Sequence, residues 1–219
     1  MLPDGERQAW LNIVKPAELD IHMASIGQAE ANAAIVREMF DRFPLTDGAR
    51  LLVHGCGSCQ MVDYLSLAEI GNVDFTFADL SPVMLEEGKR RLDKVLDARY
   101  RLVIDDIERS TLTGPYDAVL LVLVLLHVQW RISLTQMMGF HPSRFYIVDQ
   151  EQMPGSSTVT TQGELLPSMR RYREVAGMEL VPRQDLITHM SENGYRLRWT
   201  MNRLVPGDKT MVGFVFEKD

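Results

Sequence analysis

Cysteine is scarce in this chain of 219 residues, and its scarcity excludes one way of stabilising a small protein. The only cysteines are Cys56 and Cys59, so a framework of several disulfides cannot hold the fold together. A chain of this length buries a hydrophobic core without such cross-links. We therefore expect one large α/β domain, or one domain with a short appendage.

Long hydrophobic runs and a surplus of positive charge are also missing. The longest apolar stretch, residues 118–128, is shorter than the roughly 20 residues that span a bilayer, and the N-terminus lacks a signal-peptide pattern. Lys and Arg number 23 against 30 Asp and Glu, a formal net charge of -7. This balance disfavours a surface that follows nucleic-acid phosphates. We expect a cytoplasmic protein with a small-molecule or protein partner and no membrane or nucleic-acid partner.

Apolar runs alternate with helical patterns from residue 50 onward, which predicts β-α-β units that build a parallel sheet. Met61, Leu65 and Ala68 predict a helix after the first strand, and Ser81-Pro82 predicts the start of the next helix. Further helices are expected over residues 129–139 and 182–193. The expected strands are residues 51–53, 73–78, 101–104, 117–126 and 144–148.

The end of the chain has a different pattern. Residues 195–201 alternate apolar and polar side chains, and residues 211–216 form a second apolar strand. Pro206-Gly207-Asp208 leaves no room for a helix between them, so the two strands must be antiparallel. The predicted fold is a doubly wound, seven-stranded, mostly parallel sheet with a reversed final strand.

Two segments lie outside this scheme. Residues 1–48 read as helices and predict a cap or lid, followed by the main domain over residues 49–219. Residues 150–179 read as a cover insertion, which contains the sequence Pro-Gly-Ser-Ser at residues 154–157. In the cap, His22, Met23 and Gln28 either line a lid over the site or only pack between helices.

The loop from His54 to Cys59 lies where the first strand meets a turn. Gly55 and Gly57 would let a ligand approach the backbone, although two such glycines alone also fit a simple tight corner. Asp79 follows Gly57 by 22 residues, the spacing of an acid that binds ribose hydroxyls in nucleotide sites. A dinucleotide motif wants glycine where Gln60 stands. The loop therefore favours an adenosine ligand without a pyrophosphate.

These residues resemble the class I S-adenosylmethionine-dependent methyltransferases. Residues 51–59 are similar to the first motif of that family, residues 79–85 to its second, and residues 105–107 to its acidic turn beside adenine. Residues 116–128 resemble its fourth strand, and the closing helix and two strands resemble its reversed seventh strand. The resemblance implies S-adenosylmethionine as cofactor and methyl transfer to a small-molecule acceptor, without a metal.

The resemblance also implies roles for single residues. The loop at Gly55 and Gly57 would run alongside the methionyl portion of the cofactor, and Asp79 would bind the ribose diol. Asp106 would accept a hydrogen bond from the adenine amino group, and Ile107 would lie beside the adenine ring. Asp105 is the weaker choice for adenine, and either aspartate could instead form a turn or cap a helix. The implied cofactor-binding set is His54, Gly55, Cys56, Gly57, Asp79, Leu80, Asp106 and Ile107.

Two positions depart from the family. Val53 stands where an acidic residue is usual, and Cys59 stands where a third glycine is usual. Cys59 is small enough to be tolerated if its φ angle is negative. These departures leave an alternative open, a non-catalytic adenosyl-binding or regulatory protein with a decayed site.

Three further features each allow two interpretations. His127 is expected to end the fourth strand, where it either acts as a general base or only shapes the pocket. The Cys56 and Cys59 pair at a helix N-terminus would have a lowered thiol pKa in a thiol oxidoreductase. Residues 170–173, Arg-Arg-Tyr-Arg, either grip an anionic substrate or form a solvated helix face. The acceptor atom and the oligomeric state are not indicated.

Overall fold

The computed structural model of the chain describes residues 4–96, 100–152, 159 and 165–219. Within these residues, seven strands form one sheet in the order β3-β2-β1-β4-β5-β7-β6. The strands are β1 (Arg50–His54), β2 (Asp74–Asp79), β3 (Tyr100–Ile104), β4 (Ala118–Val122), β5 (Arg144–Gln152), β6 (Tyr195–Val205) and β7 (Lys209–Lys218).

The direction of the strands agrees with the prediction. Strands β1 to β5 pair in parallel, whereas β7 is antiparallel to both β5 and β6. In the β5–β7 register, Arg144 lies opposite Glu217 and Gln152 lies opposite Lys209. The doubly wound, seven-stranded sheet with a reversed final strand is confirmed.

Seven α-helices surround this sheet in the described part of the chain. Helix α3 packs on β5, β6 and β7, helix α4 on β2 and β3, and helix α7 on β6. No described helix is long and apolar enough to cross a membrane. The helices are α1 (Asp4–Asn12), α2 (Pro16–Ser25), α3 (Gln28–Arg42), α4 (Pro82–Val95), α5 (Trp130–Met138), α6 (Pro167–Val175) and α7 (Arg183–Glu192).

Alternate side chains of the central strands belong to two separate hydrophobic cores, one on each face of the sheet. Leu51 and Val53 of β1 belong to the core that includes Ile35 of α3. Leu52, between them, belongs to the core that includes Leu134 of α5. Since successive side chains of a strand point to opposite faces, the sheet is buried on both sides.

Helices α1, α2 and α6 share a third, smaller core. Ala9 and Val14 from the N-terminal segment pack there with Met169 and Tyr172 of α6. The expected helical character of the N-terminal region is confirmed over residues 4–42. Helix α3 packs on the sheet itself, whereas α1 and α2 join the smaller core. Residues 154–157 of the predicted insertion lie outside the described residues.

The prediction of an α-helix after β1 is wrong. Two single turns of 3₁₀ helix, Gln60–Asp63 and Leu67–Ile70, stand in its place. Ser66 has an extended backbone between them, and Leu65 and Leu67 are both buried. Burial at an interval of two residues therefore overrides the helical spacing of the apolar residues.

Two strand boundaries also differ from the prediction. Strand β4 ends at Val122, because Leu123 turns the chain with a φ of 55°. His127 consequently lies in a 3₁₀ turn, Leu125–His127, rather than at the end of the strand. Strand β5 continues to Gln152 because its last residues pair with β7, so the first three residues of the predicted insertion belong to the sheet.

Candidate functional site

A cavity of about 440 Å³ opens at the carboxyl ends of β1 to β4, where ligands bind in open α/β sheets. Its volume lies in the usual range for small-molecule pockets. The nine residues predicted for the site all line it: His54, Gly55, Cys56, Gly57, Asp79, Leu80, Asp106, Ile107 and His127.

The loop after β1 turns with three left-handed residues. Gly55, Gly57 and Cys59 have φ angles of 68°, 53° and 55°. The expectation that Cys59 has a negative φ is therefore wrong. This residue adopts a left-handed conformation that glycine adopts more easily. The two glycines differ in their surroundings, because a Cβ on Gly55 would lie 2.3 Å from Val124 Cγ2, whereas a Cβ on Gly57 would meet nothing within 4 Å.

Asp79 ends β2 and braces this loop. Its Oδ2 accepts a hydrogen bond from the Gly57 N–H at 2.8 Å, and its Oδ1 accepts one from the Ser81 N–H at 2.9 Å. Burial raises the pKa of the carboxyl, and the two backbone hydrogen bonds oppose this shift. Each oxygen keeps lone-pair capacity for a ligand hydroxyl, since a carboxylate accepts about four hydrogen bonds.

The two neighbouring aspartates after β3 have different environments. Asp105 is buried, and its carboxylate contacts His54 Nε2 at 2.9 Å and the Thr111 N–H at 2.8 Å. Asp106 accepts from the Glu108 N–H at 3.1 Å and forms an ion pair with Arg7 of α1. Both aspartates line the cavity, but the Asp105 side chain is only 1% exposed, whereas that of Asp106 is 16% exposed.

The thiols of the loop do not have the properties of a redox pair. The loop leads into one turn of 3₁₀ helix rather than an α-helix, so no helix dipole lowers a thiol pKa. Burial, followed by the neighbouring Cys59, raises the pKa of Cys56 well above its ordinary value. The lowered pKa expected for a thiol oxidoreductase is therefore wrong.

His127 belongs to a buried cluster that sequence reasoning missed. Its Nδ1 lies 2.8 Å from Glu6 Oε1 and 3.0 Å from the Tyr172 hydroxyl. Tyr172 donates to the same Glu6 oxygen at 2.5 Å, and the Gly177 N–H donates to the other oxygen at 2.8 Å. The Trp10 ring meets the His127 ring edge-on, with 4.9 Å between centroids.

This cluster orients the His127 ring. Glu6 is fully buried, and although burial raises its pKa, hydrogen bonds from His127, Tyr172 and Gly177 hold the pKa below its ordinary value. An ionised carboxylate only accepts hydrogen bonds, so Nδ1 carries the proton. Nε2 has no hydrogen-bond partner within the described residues, and the His127 side chain lines the cavity. No local sequence signal could have found Glu6, which lies 121 residues from His127.

The N-terminal helices form the opposite wall. His22, Met23 and Gln28 line the cavity, as the lid interpretation expected. Asp20 of α2 accepts from the Ser58 hydroxyl at 2.5 Å and from Arg91 of α4 at 2.7 Å. These bonds fasten α2 to the loop after β1.

The arginines of α6 point away from this site. Arg170, Arg171 and Arg173 are exposed and do not line the cavity, whereas Tyr172 between them is buried. The geometry favours the solvated-face interpretation of this segment. In the described part of the chain, no group of three His, Cys, Asp or Glu side chains is placed to hold a metal ion.

Comparison with known proteins agrees with the fold and motifs. Residues 51–139 match a family model described as a methyltransferase domain. No curated protein sequence matches the chain significantly. Residues 51–139 are therefore similar to a methyltransferase domain, and the fold of the chain is shared with solved methyltransferases.

Three solved structures illustrate the similarity. Magnesium protoporphyrin IX methyltransferase from Synechocystis PCC 6803, with bound SAH, is 18% identical with a TM-score of 0.68, over 99% of this chain and 93% of that chain. Geranyl diphosphate C-methyltransferase from Streptomyces coelicolor A3(2) is 12% identical with a TM-score of 0.64, over 86% and 79%. An N-methyltransferase from Bradyrhizobium japonicum WM9 is 12% identical with a TM-score of 0.61, over 87% of each chain. At these identities the likeness concerns the fold.

Proposed function

We propose that this chain transfers a methyl group from S-adenosylmethionine to a small-molecule acceptor. The observation that carries the proposal is the convergence of all nine predicted site residues on one cavity. The similar magnesium protoporphyrin IX methyltransferase structure contains bound SAH. The surplus of acidic residues and the enclosure by α1, α2 and α6 support a small acceptor rather than a nucleic acid.

The residues along β1 to β3 fit the cofactor. The open space beside Gly57 accommodates the methionyl portion next to the backbone, flanked by His54 and Cys56. The carboxylate of Asp79 accepts from the ribose diol while it holds the Gly57 N–H. Leu80 lies beside the ribose.

The adenine end uses the turn after β3. Asp106 accepts from the adenine amino group, and Ile107 packs against the ring. Arg7 is paired with the same carboxylate and therefore shares it with adenine, which makes α1 part of the cofactor's cover.

The chain's contribution to the chemistry is positioning and proton transfer. S-adenosylmethionine, when bound, supplies a methyl group on a positively charged sulfur. The cavity walls hold the acceptor atom in line with that methyl, which is the larger part of catalysis for such a transfer. His127 Nε2 accepts the proton that the acceptor atom releases, while the Nδ1–H stays bonded to Glu6. Glu6 and Tyr172 act through His127 as positioning residues.

A non-catalytic adenosyl-binding protein would keep the loop and Asp79 but would have no use for a buried histidine–glutamate pair at the cavity wall. Glu6 accepts hydrogen bonds from four groups, namely Trp10, His127, Tyr172 and Gly177. An arrangement that costs the burial of a charge and orients one ring nitrogen favours catalysis.

Calorimetric titration tests the proposal. The unmodified protein should bind S-adenosylmethionine, and Asp79→Ala should weaken binding at least about tenfold because the ribose and the loop lose their shared acceptor. Asp74→Ala, at the exposed start of the same strand, is the matched control and should bind normally. Asp79→Asn, with a thermal melt, separates lost affinity from lost folding. Absence of binding by the unmodified protein would contradict the proposal.

A further inference from the structure

One wall of the cavity is apolar and aromatic. Five of its six side chains also belong to the third, smaller core, in which the centroids of the Trp10 and Tyr172 rings lie 5.6 Å apart. The sixth, Leu126, directly precedes His127 in the chain. We call this set the apolar wall, and its members are Trp10, Leu19, Leu126, Met169, Tyr172 and Met178.

Two contacts place the apolar wall beside the proposed proton acceptor. The Trp10 ring meets the His127 ring edge-on, with 4.9 Å between centroids. The Glu179 N–H donates to the Leu126 carbonyl oxygen at 3.0 Å, which holds Met178, the preceding residue, close to the turn that carries His127. The apolar wall and His127 therefore enclose the same part of the cavity.

The hydrogen-bond donors of the apolar wall are used inside the protein. The Trp10 Nε1–H donates to Glu6 Oε1 at 3.2 Å, and the Tyr172 hydroxyl donates to the same oxygen at 2.5 Å. Glu6 is fully buried and does not line the cavity. Because both donors are bonded to a group outside the cavity, the wall presents mainly hydrocarbon, thioether and ring surface to a ligand.

The charged and titratable lining residues around the apolar wall are engaged, neutral or distant. Arg7 pairs with Asp106, and Asp20 is bonded to α4 and to the loop after β1. Burial lowers the pKa of His22, so its imidazole is largely neutral at pH 7. Lys209 begins β7, two strands and about 10 Å from β4, the strand before His127. The apolar wall therefore favours an acceptor that is uncharged before it reacts.

The chemistry of a histidine base narrows the acceptor group further. An imidazole takes a proton from a phenol, with a pKa of about 10, much more readily than from an alkyl alcohol, whose pKa is near that of water at about 15.7. An aromatic ring also suits the apolar wall, because indole rings and thioethers pack favourably against aromatic rings. Both properties indicate a hydroxyl group on an aromatic ring.

We propose that the methyl acceptor is an uncharged phenol whose ring packs against the apolar wall and whose hydroxyl group donates to His127 Nε2. This inference rests on the proposed function. In the transfer, the phenol oxygen forms a bond to the methyl carbon while the bond between that carbon and sulfur breaks, and the sulfur keeps the electron pair. The phenol proton moves to Nε2. The products are an aryl methyl ether and S-adenosylhomocysteine.

The first test compares single-ring phenols with cyclohexanols and anilines that carry the same substituents. The unmodified protein is given S-adenosylmethionine, and mass spectrometry follows the methylated product. The phenols should be methylated on oxygen, with kcat/KM at least about a hundredfold above that of the matched cyclohexanols. Equal kcat/KM values, transfer to anilines but not to phenols, or no transfer to any phenol would overturn the proposal.

His127→Asn tests the proton transfer. The new amide keeps an N–H donor for Glu6 but has no basic nitrogen, and a thermal melt checks that the variant folds. The kcat for phenols that are neutral at the assay pH should fall at least about a hundredfold, whereas a nitrophenol that is already ionised should lose less than about tenfold. Equal losses for both kinds of phenol would overturn the proposal.

Trp10→Leu tests the apolar wall. Loss of the aromatic ring should raise the KM for phenols about fivefold with a smaller change in kcat. Trp199→Leu is the matched control, because Trp199 lies on β6 and does not line the cavity, and it should behave as the unmodified protein. Trp10→Phe, which keeps an aromatic ring, should stay within about twofold and covers a failure of Trp10→Leu to fold. Unchanged KM in Trp10→Leu, or equal effects in Trp10→Phe and Trp10→Leu, would overturn the proposal.

Failure of the proposed function is distinguishable from failure of this inference. A protein that binds S-adenosylhomocysteine but methylates no phenol retains the cofactor site and contradicts only the phenol acceptor. A protein that does not bind S-adenosylhomocysteine, measured by calorimetry before any acceptor is added, contradicts both.

Discussion

The two halves of the cavity are assembled in different ways. On the proposed cofactor side, Asp79 ends β2, and Gly57 and Asp106 come shortly after β1 and β3, so the strand order alone brings them together. On the proposed acceptor side, Glu6 and Tyr172 lie 166 residues apart in the chain and meet at His127 through the packing of α1 and α6. The geometry of the first half follows from the topology of the sheet. The geometry of the second half depends on how α1, α2 and α6 pack beside the sheet.

The largest effect on stability should come from Gly55→Ala. The new Cβ would lie 2.3 Å from Val124 Cγ2 at a φ of 68°, so we expect a loss of about 3 kcal/mol from overpacking and backbone strain. Gly57→Ala has the same backbone strain without the clash and should lose only about 1 kcal/mol, while its methyl group enters the cofactor space. Urea unfolding measures both, and equal losses would contradict the different surroundings of the two glycines.

Glu6→Gln tests whether the acceptor side depends on one buried charge. Replacing the carboxylate that receives four hydrogen bonds should cost about 2–3 kcal/mol at pH 7. The pKa of Glu6 is held below its ordinary value of 4.5, so this contribution is present above pH 4.5 and is lost as the pH falls through the folded-state value. Glu30→Gln, on an exposed position of α3, is the control. A stability difference that does not shrink at low pH would contradict this account.

Asp149→Asn should stabilise the protein, in contrast to Glu6→Gln. Burial raises the pKa of Asp149 from 3.8 to about 7, so the folded state is penalised progressively as the pH rises through this range and fully above it. Removing the charge relieves a penalty of about 4 kcal/mol by linkage, but burying the new amide N–H costs about 2 kcal/mol. We expect a net gain of about 2 kcal/mol at pH 8, measured by urea unfolding, and none for Asp74→Asn. A loss of stability at pH 8 would contradict the assigned burial penalty.

Arg7→Met should have the smallest effect, because its ion pair with Asp106 is partly exposed. The substitution frees the carboxylate for adenine, so S-adenosylhomocysteine should bind up to about fivefold more tightly, with unchanged protein stability within about 1 kcal/mol. Calorimetry measures the affinity. Weaker binding would mean that Arg7 supports adenine instead of sharing its acceptor.

The same difference between the two halves of the cavity explains which parts of the molecule could be predicted from the sequence. The apolar strand runs and the 22-residue spacing from Gly57 to Asp79 are local patterns. They predicted the sheet and its reversed strand, and the residues they indicated for the cofactor line one cavity. The helix expected around Met61 failed because tertiary burial of Leu65 and Leu67 overrode helical spacing. Glu6 and Tyr172 could not be predicted, since their meeting with His127 depends on contacts between segments 45 to 166 residues apart.

The division of the cavity into two halves is the central claim, and one set of titrations tests it most directly. The affinity for S-adenosylhomocysteine is measured in the unmodified protein and in the Asp79→Asn and Glu6→Gln variants. We predict a loss of at least about tenfold in Asp79→Asn and a change of less than about threefold in Glu6→Gln. Equal losses in the two variants would contradict the claim.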